Sequence, residues 1–341
     1  MANRNIVAIG TSAGGVEALR SVVGALPARF PAAILITIHL PSHSRSSMDE
    51  LLTRAGPLKA SFAAEGMIVK NGHIYVARPG YHLIIEGERL ALGTGPRENK
   101  TRPSIDPMFR SAALCCGNRT IGVVLTGTLG DGAAGLWAIK EAGGITVVQD
   151  PQEAAFPEMP LAALSHLDPD HLTKLPDLPR LLETLVNQPA GEPRPVAPGM
   201  KYEVEVAKGG PSTMQQMDRI GKRSVLTCPD CAGIMWELDN GKLTRFRCHQ
   251  GHAYSAEVMG IAMEDALRHA LGSGVRALEE RIALIKKLRG QAEEHDGRLA
   301  ATWDDKAREL EAEANTIRNS LRRIDAITER GDVPGQLTGT G

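Results

Sequence analysis

The sequence predicts an α/β fold: a doubly wound, mostly parallel sheet with helices on both faces, followed by a small zinc-ribbon-like module and a C-terminal helical hairpin. Three observations carry this. Residues 5–186 alternate short apolar runs with helical stretches, as parallel strands joined by crossover helices do. Cys228-Pro-Asp-Cys231 is followed by Cys248-His249-Gln250-Gly251-His252, which is metal-ligand spacing. From about residue 256 the chain is charged and its apolar residues fall on a heptad stripe.

Taken in order, Asn5–Gly10 reads as a buried strand ending in a glycine turn, and Val16–Leu26 as a helix. Ala32–Ile38 is a second buried strand and Ser46–Arg54 a short helix. Residues 73–92 alternate around Gly87 and predict a local β-meander. Pro107–Cys116 is helical, Thr120–Leu125 is a third buried strand, residues 132–142 are a helix and Ile145–Val148 a fourth strand. Residues 187–224 change character, and NQPAGEPRPVAPG at their start reads as an extended linker. Thr227–His252 contains an Asp-Asn-Gly turn and reads as a hairpin. Val275, Leu278, Ile282, Ile285 and Leu288 form one stripe, and Ala307, Leu310, Ala314, Ile317, Leu321 and Ile324 a second, with a bend between Gly290 and Thr302. The closing GDVPGQLTGTG reads as disordered.

Composition narrows the functional classes. With 39 basic and 40 acidic residues, the net charge of −1 offers no electrostatic case for nucleic acid or an anionic membrane. No apolar run reaches the roughly 18–20 residues of a membrane span, so no membrane insertion is expected. Five cysteines, an odd number, do not suggest a disulfide framework, and a reduced cytoplasmic setting is expected. Aromatics are 4%, so the core must be built from Ala, Val, Leu and Ile.

Gly10-Thr-Ser12-Ala-Gly14 fits G-x-S-x-G between a strand and a helix. That turn exposes a serine hydroxyl at the sheet's carboxyl edge and aims helix-start N–H groups at a developing oxyanion. A plain or phosphate-binding glycine turn is the other reading. His39 ends its strand at the same sheet edge, where a general base is needed. Asp131 sits in a second glycine-rich turn after a buried strand and can be an orienting carboxylate, a helix N-cap, or both. The order Ser, His, Asp is not that of α/β-hydrolases.

The blocks IVAIGTSAGGVEAL, ITIHLPSHSRS, RPSIDPMF and VVLTGTLGDGAAGL resemble, in order and spacing over about residues 5–186, those of CheB-type protein-glutamate methylesterases. The resemblance implies a serine esterase of chemotaxis signal transduction that hydrolyses glutamate methyl esters on chemoreceptors or similar signalling proteins. It makes Ser12 the nucleophile, His39 the general base and then acid, and Asp131 the group that holds the imidazole, with no cofactor for catalysis. Two positions depart from the family pattern: Ala13 where Thr is frequent, and Thr128 where LTGMGxDG has Met. Backbone donors survive both changes, but substrate preference is put in doubt. The family's N-terminal receiver domain is not expected, because the hydrolase pattern begins within ten residues of Met1. The other functional classes are a catalytically silent adaptor that binds methylated receptor helices, and a small-molecule carboxylesterase.

Cys228, Cys231, Cys248 and His252 suit structural zinc. His252 is preferred to His249, whose side chain would point away from that of the adjacent Cys248 on an extended chain. A metal-free knuckle or a C-x-x-C redox pair are the alternatives. The helical tail reads either as a self-burying antiparallel hairpin or as a dimerising or receptor-mimicking coiled coil. The expected division is a catalytic domain at 1–190, a linker at 191–224, the zinc module at 225–255 and the tail at 256–330. Loss of zinc is then expected to leave the esterase largely unchanged, and control to come from the tail rather than from phosphorylation.

Overall fold

A computed structural model describes residues 2–40, 46–240, 243–293 and 297–329. The chain divides into two compact units, Met1–Gly260 and Ile261–Gly341.

The first unit is built on β1 (Ile6–Thr11), α1 (Gly15–Gly24), β2 (Ala33–Ile38), α2 (Met48–Ala55), β3 (Lys59–Phe62), β4 (His73–Val76), β5 (His82–Glu86), β6 (Arg89–Gly93), α3 (Ile105–Cys116), β7 (Thr120–Val124), α4 (Ala133–Glu141), β8 (Ile145–Gln149), α5 (Glu158–His166), β9 (His171–Thr173) and α6 (Leu178–Val186). Seven strands form one sheet in the order β3-β4-β2-β1-β7-β8-β9, and every neighbouring pair is parallel. Side-chain alternation splits β1 between two cores. Val7 and Ile9 face Leu19, Val22, Leu52 and Leu182, whereas Ile6 and Ala8 face Met108, Phe109, Leu136 and Met159. The chain leaves β1 toward β2 on one side and reaches β7 on the other. The sheet's switch point therefore lies at the carboxyl ends of β1, β2 and β7, where α/β sheets place their sites.

Two expectations are corrected. The segment 73–92 is not one meander: β4 pairs in parallel with β2 and β3 in the main sheet, and only β5 and β6 form a hairpin around Gly87. Parallel pairing of β4 buries Ile74, Tyr75 and Val76, which a free meander would leave half exposed. The presumed linker at 191–224 carries α7 (Pro198–Lys208) and α8 (Met214–Ile220). Helix α7 buries Met200, Val204 and Ala207, and Ile84, Ala91, Val204 and Ala207 form one apolar cluster.

A four-stranded antiparallel sheet follows: β10 (Lys222–Thr227), β11 (Ile234–Asn240), β12 (Leu243–Cys248) and β13 (Ala253–Ser255). Asn240 pairs with Leu243 across the hairpin, while Gly241 and Lys242 of the expected turn lie outside the described residues. Helix α9 (Ala256–Glu293) begins in the first unit, and its remainder and α10 (Gly297–Glu329) make up the second. There, Lys286–Glu311, Arg289–Asp304 and Arg268–Asp325 pair the two helices antiparallel, with Ile282, Ile285, Ala307 and Ala314 buried. Residues 294–296 of the expected bend and the closing GDVPGQLTGTG lie outside the described residues.

Candidate active site and metal centre

Ser12 directly follows β1, and its N–H donates to the Thr126 carbonyl at 3.1 Å. The turn needs Gly14, whose φ of +74° is left-handed. It also needs Gly127, where a Cβ would lie 2.9 Å from the Ser12 Cβ and 2.1 Å from the Met159 sulfur. His39 follows β2 and places Nδ1 3.0 Å from the Ser12 Oγ. Its Nε2 lies 2.7 Å from the Asp131 Oδ2. Asp131 is buried in the turn between β7 and α4. The three residues expected from sequence thus form one hydrogen-bonded line across three strand ends. With the ring proton on Nε2 held by Asp131, the Nδ1 lone pair faces Ser12, the arrangement a general base requires.

Asp131 accepts more than the imidazole. Oδ2 also accepts from the Ile105 N–H at 2.6 Å. Oδ1 accepts from the Ser104 hydroxyl at 2.8 Å, the Asn99 amide at 2.9 Å and the Asp106 N–H at 3.3 Å. The start of α3 thereby presents its unpaired N–H groups to a carboxylate. Burial alone would raise the Asp131 pKa, but the His39 bond and charge, the Ile105 N–H and the Asn99 amide outweigh it and hold it at about 2. Asp106 is pushed the other way, to about 7, by burial and by the Asp131 charge. It accepts from the Gly135 N–H at 2.6 Å and from Asn99 at 3.1 Å.

Asn99, Ser104 and Asp106 escaped the sequence reading. Ser104 and Asp106 lie inside RPSIDPMF, so their block was visible but their roles were not. Asn99 stands at φ +49°, a region asparagine tolerates better than most residues, in a Gly- and Pro-containing loop.

The Cys/His group assembles as well. One ligand atom from each of Cys228, Cys231, Cys248 and His252 lies within 4.8 Å of all the others. The Cys231 and Cys248 sulfurs are 3.7 Å apart, and the Cys248 sulfur is 3.5 Å from the His252 Nδ1. A tetrahedron with zinc–sulfur bonds of about 2.3 Å and a zinc–nitrogen bond of about 2.0–2.1 Å has edges of about 3.8 and 3.6 Å. The donor set and its spacing therefore fit a tetrahedral thiophilic ion. Two short turns shape it: Ala232 N–H donates to the Cys228 carbonyl at 2.7 Å, and Gly251 N–H to that of Cys248 at 2.8 Å. His249 is outside the group.

Comparison with known proteins identifies the fold of the parallel sheet. The family model described as CheB methylesterase matches residues 7–182. A Leptospira interrogans protein (serovar copenhageni, strain Fiocruz L1-130), named provisionally as a protein-glutamate methylesterase/protein-glutamine glutaminase, is 38% identical over 180 residues, which are 52% of this chain and 93% of that one. A Methanospirillum hungatei JF-1 protein-glutamate methylesterase/protein-glutamine glutaminase is 34% identical over 193 residues, covering 53% of this chain and 56% of its own length. The crystal structure of the Thermotoga maritima CheB methylesterase catalytic domain superposes with a TM-score of 0.52 at 29% identity, over 55% of this chain and all of that one.

Proposed function

The chain belongs to the CheB methylesterase family, and from that premise we propose that residues 1–190 hydrolyse γ-glutamyl methyl esters on a chemoreceptor or similar signalling protein. The line Ser12–His39–Asp131, at 3.0 and 2.7 Å, carries the reading. Ser12 Oγ attacks the ester carbonyl carbon while His39 Nδ1 takes its proton. The N–H groups at the start of α1 support the oxyanion. His39 then gives the proton to the departing methoxide, releasing methanol and leaving Ser12 acylated. Water attacks the acyl-enzyme, its proton goes to His39 and returns to Ser12 Oγ, and a glutamate carboxylate is freed. Asp131 stays ionised and stabilises the imidazolium. A glutamine side chain would follow the same course with ammonia leaving, which fits the double name of the relatives. The exposed Phe156 lies against Gly14 of the Ser12 turn and suits the apolar face of a partner helix.

The three cysteines and His252 hold one structural zinc. With four protein ligands no position is left for catalysis. No described helix is long and apolar enough to cross a membrane, and five cysteines with no disulfide among them suit a reducing cytoplasm.

The test is methanol release from a methylated receptor fragment. Wild-type protein should release it and Ser12→Ala should lower the rate by several orders of magnitude. Labelling of Ser12 by a fluorophosphonate without methanol release would point to a small ester substrate instead. Neither labelling nor release would leave a binding adaptor.

A further inference from the structure

Strand β13 grips the loop that supports Asp131. Asn99 N–H donates to the Ala253 carbonyl at 2.8 Å, and the Ala253 N–H to the Arg97 carbonyl at 3.4 Å. Ser255 N–H donates to the Asn99 Oδ1 at 2.9 Å. The Asn99 side-chain amide is therefore used at both ends: its oxygen by β13, its nitrogen by Asp131 and Asp106. Asn99 and Lys100 sit at φ +49° and +66°, a left-handed conformation that asparagine tolerates and that costs a lysine more.

Beneath this loop five charged side chains are buried together. Glu98 accepts from Arg110 of α3 and from Arg247 of β12. Glu203 of α7 accepts from Arg247 at 2.9 Å and from both terminal nitrogens of Arg245 at 2.8 and 2.9 Å. Arg247 also donates to the Gly251 carbonyl at 2.8 Å, and Gly251 lies between the ligands Cys248 and His252. The knuckle, β13, Asn99, Asp131 and His39 are thus joined bond by bond.

We propose that the Cys/His module is a working part of the hydrolase: Asn99 is a positioning residue for Asp131, and metal loading of Cys228, Cys231, Cys248 and His252 sets the turnover of Ser12. This rests on the esterase and zinc readings above. Without a metal to tie Cys248 and His252, the residues leading into β13 lose their anchor. Asn99 then loses the partner of its oxygen, and its amide no longer fixes the Asp131 carboxylate. Among the described residues no hydrogen bond from β13 reaches Ser12, so the loss falls on kcat and spares KM. On this reading zinc loss slows the esterase, where the sequence-based expectation left it unchanged.

The experiment uses the full chain, zinc-loaded and then stripped with a chelator under reducing conditions, with p-nitrophenyl acetate and a fluorophosphonate as probes. Circular dichroism reports whether the parallel sheet persists. Loss of one hydrogen bond to a charged group predicts an about 10- to 100-fold fall in kcat on stripping, with KM unchanged, and recovery when zinc returns. The low-field proton resonance of the His39–Asp131 bond should broaden in the stripped protein. Asn99→Ala should show the reduced kcat while loaded, and stripping should lower it little further. Equal kcat for loaded and stripped wild type, an unchanged resonance, or Asn99→Ala as active and as metal-sensitive as wild type would overturn the coupling while leaving the esterase standing. Purified protein without metal would overturn the metal control. A loaded protein that neither hydrolyses nor labels would fell the esterase reading, and this inference with it.

Discussion

Replacing Asp131 by asparagine tests how much of the chemistry rests on one buried carboxylate. The two oxygens accept from five donors, two of them backbone N–H groups of α3 that cannot turn away. An amide has one acceptor end. If its NH2 takes the Oδ2 place it opposes the Ile105 N–H, and His39 can bond it only by carrying its proton on Nδ1, which removes the lone pair facing Ser12. If the NH2 takes the Oδ1 place it opposes the Asp106 N–H and the Asn99 amide. In either orientation the imidazolium loses its counter-charge. For a triad of this kind the expected loss in kcat is roughly 10⁴, or about 5 kcal/mol. Stability falls too. A native pKa of about 2 against 3.8 for the free side chain corresponds to about 2–3 kcal/mol at pH 7. The sign follows from a depressed carboxylate: this stabilisation is present above the unfolded value and is lost as pH falls through about 2. Urea unfolding at pH 7 should therefore separate wild type from Asp131→Asn, with the gap closing in strong acid. Ester hydrolysis within about tenfold of wild type would refute the triad reasoning, and equal stability at pH 7 would refute the electrostatic part.

Asp106 carries the opposite linkage: with its native pKa raised to about 7, its contribution is present below the unfolded value and is lost as pH rises toward 7 and above. Asp106→Asn should flatten the wild-type decline in Tm between about pH 4 and 8, measured by calorimetry. Gly127→Ala must push either Ser12 or Met159, so the fluorophosphonate labelling rate should drop by more than tenfold while circular dichroism stays native. Arg247→Met takes one partner from each of Glu98 and Glu203, which keep Arg110 and Arg245, and should cost about 1.5–3 kcal/mol in urea unfolding. Metal analysis should find about one zinc per chain, and Cys228→Ser should release it.

The hydrogen-bonded line Ser12–His39–Asp131 was legible because each member stands in, or at the end of, a short sequence that is odd for a strand exit. Small residues must surround an exposed hydroxyl, and a histidine or aspartate at such an edge has few structural reasons to be there. Asn99 was not legible, because its use depends on Ser255, 156 residues away. Helix α7 hid for a similar reason: its buried Glu203 looks like a surface residue until Arg245 and Arg247 are seen to meet it. Strands β3 and β9 have only four and three residues of mixed polarity at the sheet's edges, too short for alternation to register. The heptad stripes left hairpin and dimer open, and the antiparallel ion pairs between α9 and α10 describe a hairpin.

The buried charges also decide where the chain can be divided. A cut in the Pro-rich stretch near residue 190, the most inviting place by composition, keeps Glu98 and Arg110 but removes Glu203, Arg245 and Arg247. A cut after α8 keeps two glutamates against one arginine. Either product would expose to water a surface that in the whole chain is dry and ion-paired, and would present it as a sticky, charged seam. Grafting the ribbon onto another hydrolase would meet the mirror problem, with Arg247 arriving where no Glu98 waits. Domain shuffling would thus have to move both sides of this seam together, and the break tolerated best lies at the far side of β13, near Gly260, where the first unit ends.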